Sequence, residues 1–194
     1  MNRGRKQDRN FEVSGEKSRA GGAAPAAAAR NVGVVWLRSF EVRIQLSDEQ
    51  FMREALALAL EAEGSSEVPV GAVVVAEGMV IGRGRNAMMA RLDPTAHAEI
   101  LALREAASAS LNYRLENATL YATLEPCVMC AGALVAARVR RLVFGARDLR
   151  FGAVRSKFRL ADSELLSHRL EITEGVLAVE CLEPIQRFFQ SRRL

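Results

Sequence analysis

The stretch ATLYATLEPCVMCAGALVAARV, residues 118–139, changes its pattern in the middle. Its first part is apolar and rich in β-favouring residues, which predicts a strand that ends at Glu125 and Pro126. From Cys127 onward the residues favour a helix, so Cys127 and Cys130 lie three apart on one face of its first turn. The unpaired amides of a helix start stabilise thiolates there. The cysteine pair therefore indicates either a metal site or a redox site.

Segments on both sides of this stretch alternate between helix and strand patterns. Upstream, Ser47 and Gln50 form a capping-box pattern before a helix that ends at Gly64, and VGAVVVA and MVIGRGRN flank a Glu-Gly turn as a β-hairpin. HAEILALREAA follows as a second helix. Downstream, VRRLVFGA and RLEITEGV predict strands, and the tail through FFQSRRL predicts an amphipathic helix with Pro184 near its start. This alternation predicts an α/β layer fold with a largely buried central sheet.

Composition narrows the class of protein. The chain has 194 residues, of which 49% are hydrophobic and 26% charged, as in one globular domain with a tail. Residues 1–45 are rich in Ala, Gly and Arg, which predicts a disordered basic extension, and residues 46–194 form the expected folded domain. No apolar run approaches the roughly 18 residues of a membrane span. The net charge of +4 permits a polyanionic partner without requiring one.

A second short motif, TAHAEI at residues 95–100, adds a histidine to the cysteine pair. His97 is predicted in the first turn of a helix, and helix starts that follow strands of one sheet converge at one edge. With Cys127 and Cys130 it makes three ligands, which is typical of a catalytic zinc site with one position open to water. Glu99 could move protons beside that position without filling it.

PTAHAEI followed by TLEPCVMCAG resembles the H-x-E and P-C-x-x-C signature of the bacterial tRNA-specific adenosine deaminases, in the cytidine-deaminase superfamily. The likeness runs from Ser47 to the C-terminus and includes EVPVGAVVV, VFGARD and FFQSRR. It implies a three-layer α/β/α sandwich with a central mixed sheet of about five strands. It also implies one Zn²⁺ per subunit, bound by His97, Cys127 and Cys130, with Glu99 as the proton shuttle.

The resemblance further implies contacts with a flipped base and its neighbours. Asn86 matches an asparagine that contacts the base, while the backbone of Ala98 and the side chain of Val70 match positions around it. Without the resemblance, Asn86 would be interpreted as an ordinary strand-end asparagine. The other positions that match nucleotide contacts are Arg147, Asp148, Phe189 and Arg193. An aromatic ring and a guanidinium group suit a splayed anticodon loop, although Phe189 on an amphipathic helix is more often a core residue.

One loop departs from the family pattern. RFGAVRSKF, residues 150–158, places Arg155 before Ser156, and we expect Arg155 and Lys157 to be available for phosphate contacts. Neither of the two remaining candidate metal ligands is expected to bind the metal. His168 matches a histidine that is not a ligand in the family, and Cys181 is expected to be a buried small hydrophobic residue.

The expected activity is zinc-dependent hydrolytic deamination of adenosine to inosine at the wobble position of a tRNA anticodon. The expected enzyme is a cytoplasmic homodimer that binds the anticodon stem-loop and no membrane. Two alternatives stay open. A deaminase of free bases or nucleosides, such as guanine or cytosine, shares the zinc signature but has no use for an RNA-binding tail. A non-catalytic zinc module that binds nucleic acid would need a closed four-ligand site and would not need Glu99.

Overall fold

The computed structural model describes residues 47–192, so the predicted extension over residues 1–45 and the predicted contact Arg193 lie outside the described residues. The helices are α1 (Asp48–Gly64), α2 (Met88–Arg91), α3 (Ala98–Ala109), α4 (Val128–Ala136) and α5 (Ala178–Gln190). The strands are β1 (Gly71–Ala76), β2 (Met79–Arg85), β3 (Ala118–Leu124), β4 (Arg141–Ala146) and β5 (Glu171–Glu174). Within the described part of the chain, no helix is long and apolar enough to cross a membrane.

The five strands form one mixed sheet in the order β2-β1-β3-β4-β5. Strand β1 is antiparallel to both β2 and β3, whereas β4 is parallel to both β3 and β5. Strands β2 and β3 therefore point in the same direction, and their carboxyl ends lie at the same edge of the sheet. This edge is where the segments before α3 and α4 begin.

Helices cover both faces of the sheet, which confirms the three-layer α/β/α prediction. On one face, Val73 and Val75 of β1 pack with Phe51 of α1 and Cys181 of α5. On the other face, Val74 belongs to a second cluster that includes buried side chains of α3 and α4. Because β1 is covered on both sides, its side chains are apolar at every position rather than at alternate ones.

The predicted local signals at the start of the domain are confirmed. Ser47 and Gln50 form both hydrogen bonds of a capping box, and α1 ends at Gly64. The β1–β2 turn has positive φ angles at Glu77 and Gly78, 52° and 76°, as a two-residue hairpin turn requires. A short helix, α2, follows the hairpin and carries no periodic pattern from which to predict it.

The predicted position of Pro184 near the start of the last helix is wrong. Helix α5 begins at Ala178, and Pro184 lies in its interior. The buried face of α5 consists of Cys181, Pro184 and Phe188, so the proline ring packs into the core. We attribute the continuity of the helix to this packing, which offsets the backbone hydrogen bond that proline cannot donate.

Candidate active site

His97 and Cys127 each occupy the N-cap position of a helix. His97 precedes α3 and Cys127 precedes α4, both with extended backbone angles and neither with a capping hydrogen bond from its side chain. The sequence had placed His97 one residue further in, inside the first turn. An N-cap side chain normally accepts a hydrogen bond from its own helix. Here the imidazole and the thiol are instead directed at each other.

The three predicted metal ligands come together at this edge of the sheet. The distance from His97 Nδ1 is 3.5 Å to Cys130 Sγ and 3.7 Å to Cys127 Sγ. All the donor atoms lie within 4.8 Å of one another. Ligand atoms on bonds of about 2.0–2.3 Å lie roughly 3.5 Å apart around a tetrahedral ion, so this set fits zinc. Among residues 47–192, no other group of three His, Cys, Asp or Glu side chains is placed to hold a metal.

The two thiols have opposite electrostatic surroundings. Hydrogen bonds from Cys130 and from His97 lower the pKa of Cys127 below that of an ordinary thiol. The neighbouring Cys127 and burial raise the pKa of Cys130. The hydrogen bond to Cys127 raises the pKa of His97. A divalent cation bound here would hold both cysteines as thiolates, so metal binding releases the Cys130 proton.

Glu99 lies in the first turn of α3 beside the three ligands, as predicted. Its side chain is buried, with 4% of the residue exposed, and it lines the same cavity as His97 and Cys127. Burial raises the pKa of the Glu99 carboxyl above its ordinary value. A carboxyl group with a raised pKa can accept and return a proton near neutral pH, which is the property of a general acid and base.

Helix α3 is held against β2 by a close backbone contact. A Cβ atom added at Gly84 would lie 2.0 Å from Ala98 O and 2.6 Å from Ala102 N. Only glycine allows this approach, because any side chain at this position would push the helix away. The contact sets the position of the helix start that carries His97 and Glu99.

Asn86, at the end of β2, joins the first turn of α3 to the loop before β1. Its Oδ1 accepts a hydrogen bond from the Ala98 N–H at 2.9 Å, and its Nδ2 donates to Val68 O at 3.1 Å. Ala98 is fully buried, and its N–H is directed at Asn86. Asn86 and Val70 both line the cavity, with Val70 5% exposed.

His97, Cys127 and Glu99 line a cavity of about 840 Å³, whereas the third candidate ligand, Cys130, is fully buried. The walls of the cavity come from the start of β1, the α2 region, the end of β3, the loop after β4 and one face of α5. The remaining lining residues are Val68, Met88, Leu124, Glu125, Leu149, Arg150, Phe151, Leu182, Ile185, Gln186 and Gln190. A largely apolar cavity with a few polar groups at one end is typical of a small-molecule or nucleobase site.

Arg147, Asp148 and Phe189, which the sequence singled out, also line this cavity. The Arg147 guanidinium donates two hydrogen bonds to Glu174 of β5, at 2.9 and 2.8 Å. Asp148 Oδ1 accepts from the backbone N–H groups of Arg150 and Phe151 at 2.9 and 3.1 Å. Phe189 lies on α5 and is 39% exposed, so it is a partly accessible ring rather than a core residue.

Several lining residues were missed from the sequence. Leu182 and Ile185 lie on the same face of α5 as Phe189, a signal that the misplaced start of α5 concealed. Glu125 was interpreted only as the end of a strand, but it is 2% exposed and accepts hydrogen bonds from the loop after β4. The sequence signal that could have identified Glu125 is a carboxylate placed between an apolar strand and a proline.

The expectation that Arg155 is available for phosphate is wrong. Its Nη1 donates to Val154 O and to Asp162 Oδ2, both at 2.9 Å, so its charge is paired inside the domain. His168 Nε2 lies 2.8 Å from Val139 O and is not part of the metal group. Cys181 is 1% exposed within the core, as expected.

Comparisons with known proteins agree with this geometry. Residues 45–146 match the family model of the cytidine and deoxycytidylate deaminase zinc-binding region. The chain is 54% identical to the tRNA-specific adenosine deaminase of Haemophilus influenzae over 147 residues, which cover 75% of this chain and 85% of that protein.

Solved structures show the same likeness. One comes from a study of A-to-I editing by tRNA:A34 deaminases at the wobble position of transfer RNA. It is 44% identical, covers 70% of this chain and 98% of its own, and has a TM-score of 0.68. The guanine deaminase of Nitrosomonas europaea is 26% identical, covers 75% of this chain and 86% of its own, and has a TM-score of 0.66.

Proposed function

Because this chain belongs to the cytidine and deoxycytidylate deaminase family, and within it to the tRNA-specific adenosine deaminases, we propose that it hydrolyses the wobble adenosine of a tRNA anticodon to inosine. The observation that carries this function is the placement of Glu99 beside three zinc-type donors, where Glu99, His97 and Cys127 line the 840 Å³ cavity. A guanine deaminase shares the fold at 26% identity, whereas the tRNA-specific relative reaches 54%, which favours the tRNA substrate.

Zinc is the metal that the donor set fits, with His97, Cys127 and Cys130 as its ligands. When bound, it lowers the pKa of a water molecule and so supplies a nucleophile at neutral pH. Glu99 takes the proton that the attacking water loses and passes it to N1 of adenine, next to the carbon under attack. Glu99 then takes the proton of the hydroxyl group added at C6 and delivers it to the amine that leaves, so that water and adenosine yield inosine and ammonia.

Asn86 is proposed to contact the flipped base. Its Oδ1 and Nδ2 each make one hydrogen bond within the protein, and an amide has a second lone pair and a second hydrogen available. Asn86 therefore has capacity for the edge of a base while it holds the first turn of α3. Val70 provides apolar contact beside it, and the backbone at Ala98 is the third part of this proposed contact.

The bases next to the target are proposed to contact the outer walls of the cavity. Phe189 presents a partly exposed ring on which a base can stack. Arg147 and Asp148 also line the cavity, and the Arg147 side chain is 52% exposed and can meet a phosphate. Arg193 follows α5 and is proposed as a further phosphate contact.

We extend the proposal to the assembly and its location: a cytoplasmic homodimer with one zinc ion per subunit. The resemblance to the family supports this extension. Zinc content per chain, measured by mass spectrometry of the purified protein, and the mass from sedimentation equilibrium test it. A monomer with full activity, or a zinc content far from one per chain, would contradict it.

The function is tested by incubating the zinc-loaded protein with an anticodon stem-loop RNA that has adenosine at the wobble position. Inosine is measured by nuclease digestion and chromatography. We expect Glu99→Gln to lower kcat by about 10²–10⁴, since it removes the general acid and base. Glu67→Gln is the matched control, because Glu67 is equally buried but bonds only the Ala90 N–H outside the cavity.

The two alternatives have distinct outcomes in the same experiment. Wild-type protein that deaminates free guanine or cytosine but not the RNA is a free-base enzyme. Wild-type protein that binds RNA and zinc without releasing ammonia from any of these substrates is a binding module. Either outcome would overturn the proposed function.

A further inference from the structure

Glu125 is a buried carboxylate next to the metal ligands that the deamination steps leave without a role. It directly follows β3 and directly precedes Pro126 and Cys127, and only 2% of the residue is exposed. Above it passes the loop after β4, residues 147–156, which we call the wall loop. Residues 147–151 of the wall loop line the cavity.

The two oxygen atoms of Glu125 together accept hydrogen bonds from both ends of the wall loop. Oε1 accepts from the backbone N–H groups of Val154, Arg155 and Ser156, at 3.0, 2.6 and 2.8 Å. Oε2 accepts from the Asp148 N–H at 3.1 Å and from the Ser156 hydroxyl. A single carboxylate therefore closes the loop on itself.

The middle of the wall loop is bonded to the segment that carries Cys127. Gly152 forms an isolated antiparallel bridge with Cys127, and the Ala153 N–H donates to Pro126 O at 2.8 Å. A Cβ atom added at Gly152 would lie 2.4 Å from the carboxyl carbon of Glu125. The backbone of the loop thus lies directly on the carboxylate, and the loop and the ligand segment form one unit.

The same contacts exclude a direct chemical role for Glu125. Five donors occupy its two oxygen atoms, and hydrogen bonds from Ser156 and the backbone amides, which outweigh the effect of burial, hold the pKa of this carboxyl below its ordinary value. Because no lone pair of this carboxylate is free to face the base, Glu125 cannot exchange a proton with the base. These hydrogen-bond donors also offset the negative charge that Glu125 places beside the proposed RNA site.

We propose that Glu125 is a positioning residue that sets the affinity for RNA by holding the wall loop in its binding conformation. The inference rests on the proposed function, because it assigns Glu125 to the binding of that RNA. Its partners are separated by 23 to 31 residues along the chain, so no local structure would replace them. A loop that must be ordered upon binding costs affinity, which a preorganised loop avoids.

Amide hydrogen exchange tests the contacts without any need for activity. In Glu125→Gln the remaining carbonyl oxygen can still accept from residues 154–156, while the new NH₂ group opposes the Asp148 N–H. We therefore expect faster exchange at residue 148 in Glu125→Gln, and at residues 148 and 154–156 in Glu125→Ala. Ser156→Ala removes only the hydroxyl donor and is expected to leave the amides protected.

Steady-state kinetics with the stem-loop RNA test the role, using Asp162→Asn as the matched control. Asp162 accepts from the Arg155 side chain, so this variant breaks an ion pair of the wall loop and leaves the Glu125 contacts intact. We expect Glu125→Gln to raise KM by about tenfold, as for the loss of one buried hydrogen bond, with kcat at saturating RNA within about threefold of wild type. A residue that serves stability alone would lower Tm and leave KM unchanged.

The failures of the two proposals are distinguishable. No inosine from zinc-loaded wild type would overturn the proposed function and with it the RNA role of Glu125, although the exchange pattern would still test the contacts. Active wild type with an unchanged KM in Glu125→Gln would overturn the positioning role alone. A fall in kcat at constant KM would also overturn it, since it would place Glu125 in the chemical step.

Discussion

His97 and Cys127 occupy N-cap positions, but their side chains are placed as candidate metal ligands rather than as helix caps. Each is an N-cap residue whose side chain makes no capping hydrogen bond and is directed at the other ligands. The positive ends of both helices therefore lie beside the ligands, which favours thiolate. Neither helix start is stabilised by a side-chain cap, because the two N-cap side chains converge as ligands instead. Cys130, one turn into α4, is the third ligand.

A partly buried polar cluster around Asp48 contributes to stability and gives a pH prediction. Arg141 donates to both oxygen atoms of Asp48 at 2.9 and 2.7 Å, and the Tyr121 hydroxyl donates to Oδ1 at 2.9 Å. The hydrogen bonds from Arg141 lower the pKa of Asp48 below its ordinary 3.8. Because the folded pKa is lower than the unfolded one, this stabilisation is complete above the unfolded value and is lost as the pH falls through the folded value.

We therefore expect Asp48→Asn to lower the free energy of unfolding by about 1 kcal/mol at pH 7, after allowance for partial solvent screening. The difference from wild type should shrink below pH 4, as urea denaturation across pH would show. Glu49→Gln is the control, since Glu49 and Arg53 form a 4.0 Å surface pair that is mostly exposed. A pH-independent difference for Asp48→Asn would contradict the assignment of the charge.

Among the secondary-structure elements, the packing of α3 on β2 decides where the catalytic groups lie. Gly84→Ala would place a methyl group against Ala98 O, so α3 must shift away. We expect this variant to lower the free energy of unfolding by about 1–3 kcal/mol, as for overpacking, and to lower kcat as Glu99 moves. Thermal denaturation and the inosine assay measure the two effects.

Gly132→Ala is the control for that variant. Gly132 lies inside α4 with nothing within 4 Å of an added Cβ. Alanine favours a helix interior over glycine, so we expect stabilisation by about 0.5–1 kcal/mol without a change in kcat. Equal effects of the two substitutions would argue against the close contact at Gly84.

Helix α5 contributes a wall of the cavity because two contacts attach it to the end of α1. The Arg187 guanidinium donates to both oxygen atoms of Glu63 at 3.0 and 2.7 Å. Arg192 lies 3.6 Å from the centre of the Phe188 ring and donates to Ser66 O at 3.2 Å. These contacts leave the neighbouring Phe189 directed at the cavity.

For the molecule as a whole, the sheet topology brings distant segments into one metal site. Strands β2 and β3 are separated by β1 in the sheet but end at the same edge, and α3 and α4 begin there. Ligands 30 residues apart in the chain, His97 and Cys127, thereby meet. A metal that binds the starts of both helices binds the folded state alone, and it stabilises the whole domain by mass action.

We accordingly expect removal of zinc with a chelator to lower Tm and abolish inosine formation, with both restored by added Zn²⁺. Stabilisation is about 4 kcal/mol at a free metal concentration 1,000 times Kd. Cys130→Ala should show the low Tm with or without chelator, whereas Cys181→Ala, equally buried but in the core, should respond as wild type does. Zinc binding by Cys130→Ala at full occupancy would contradict the assigned ligand set.

The sequence by itself determined most of the elements, though not α2 or the start of α5, and the candidate ligands, because these are encoded in short spacings. The capping box at Ser47, the Glu-Gly hairpin and the H-x-E and C-x-x-C motifs each involve residues within one turn or one strand. Periodicity and ligand type could be interpreted there without knowledge of the rest of the chain.

Only the tertiary structure decided which groups surround those motifs. The bonds from Glu125 to the wall loop, the pairing of Arg155 with Asp162 and the packing of Pro184 inside α5 depend on which surfaces meet. Buried donors and acceptors pair across long chain separations once the layers pack. Local propensity does not predict these pairings, because the free energy that favours them arises from the burial of polar groups in the folded core.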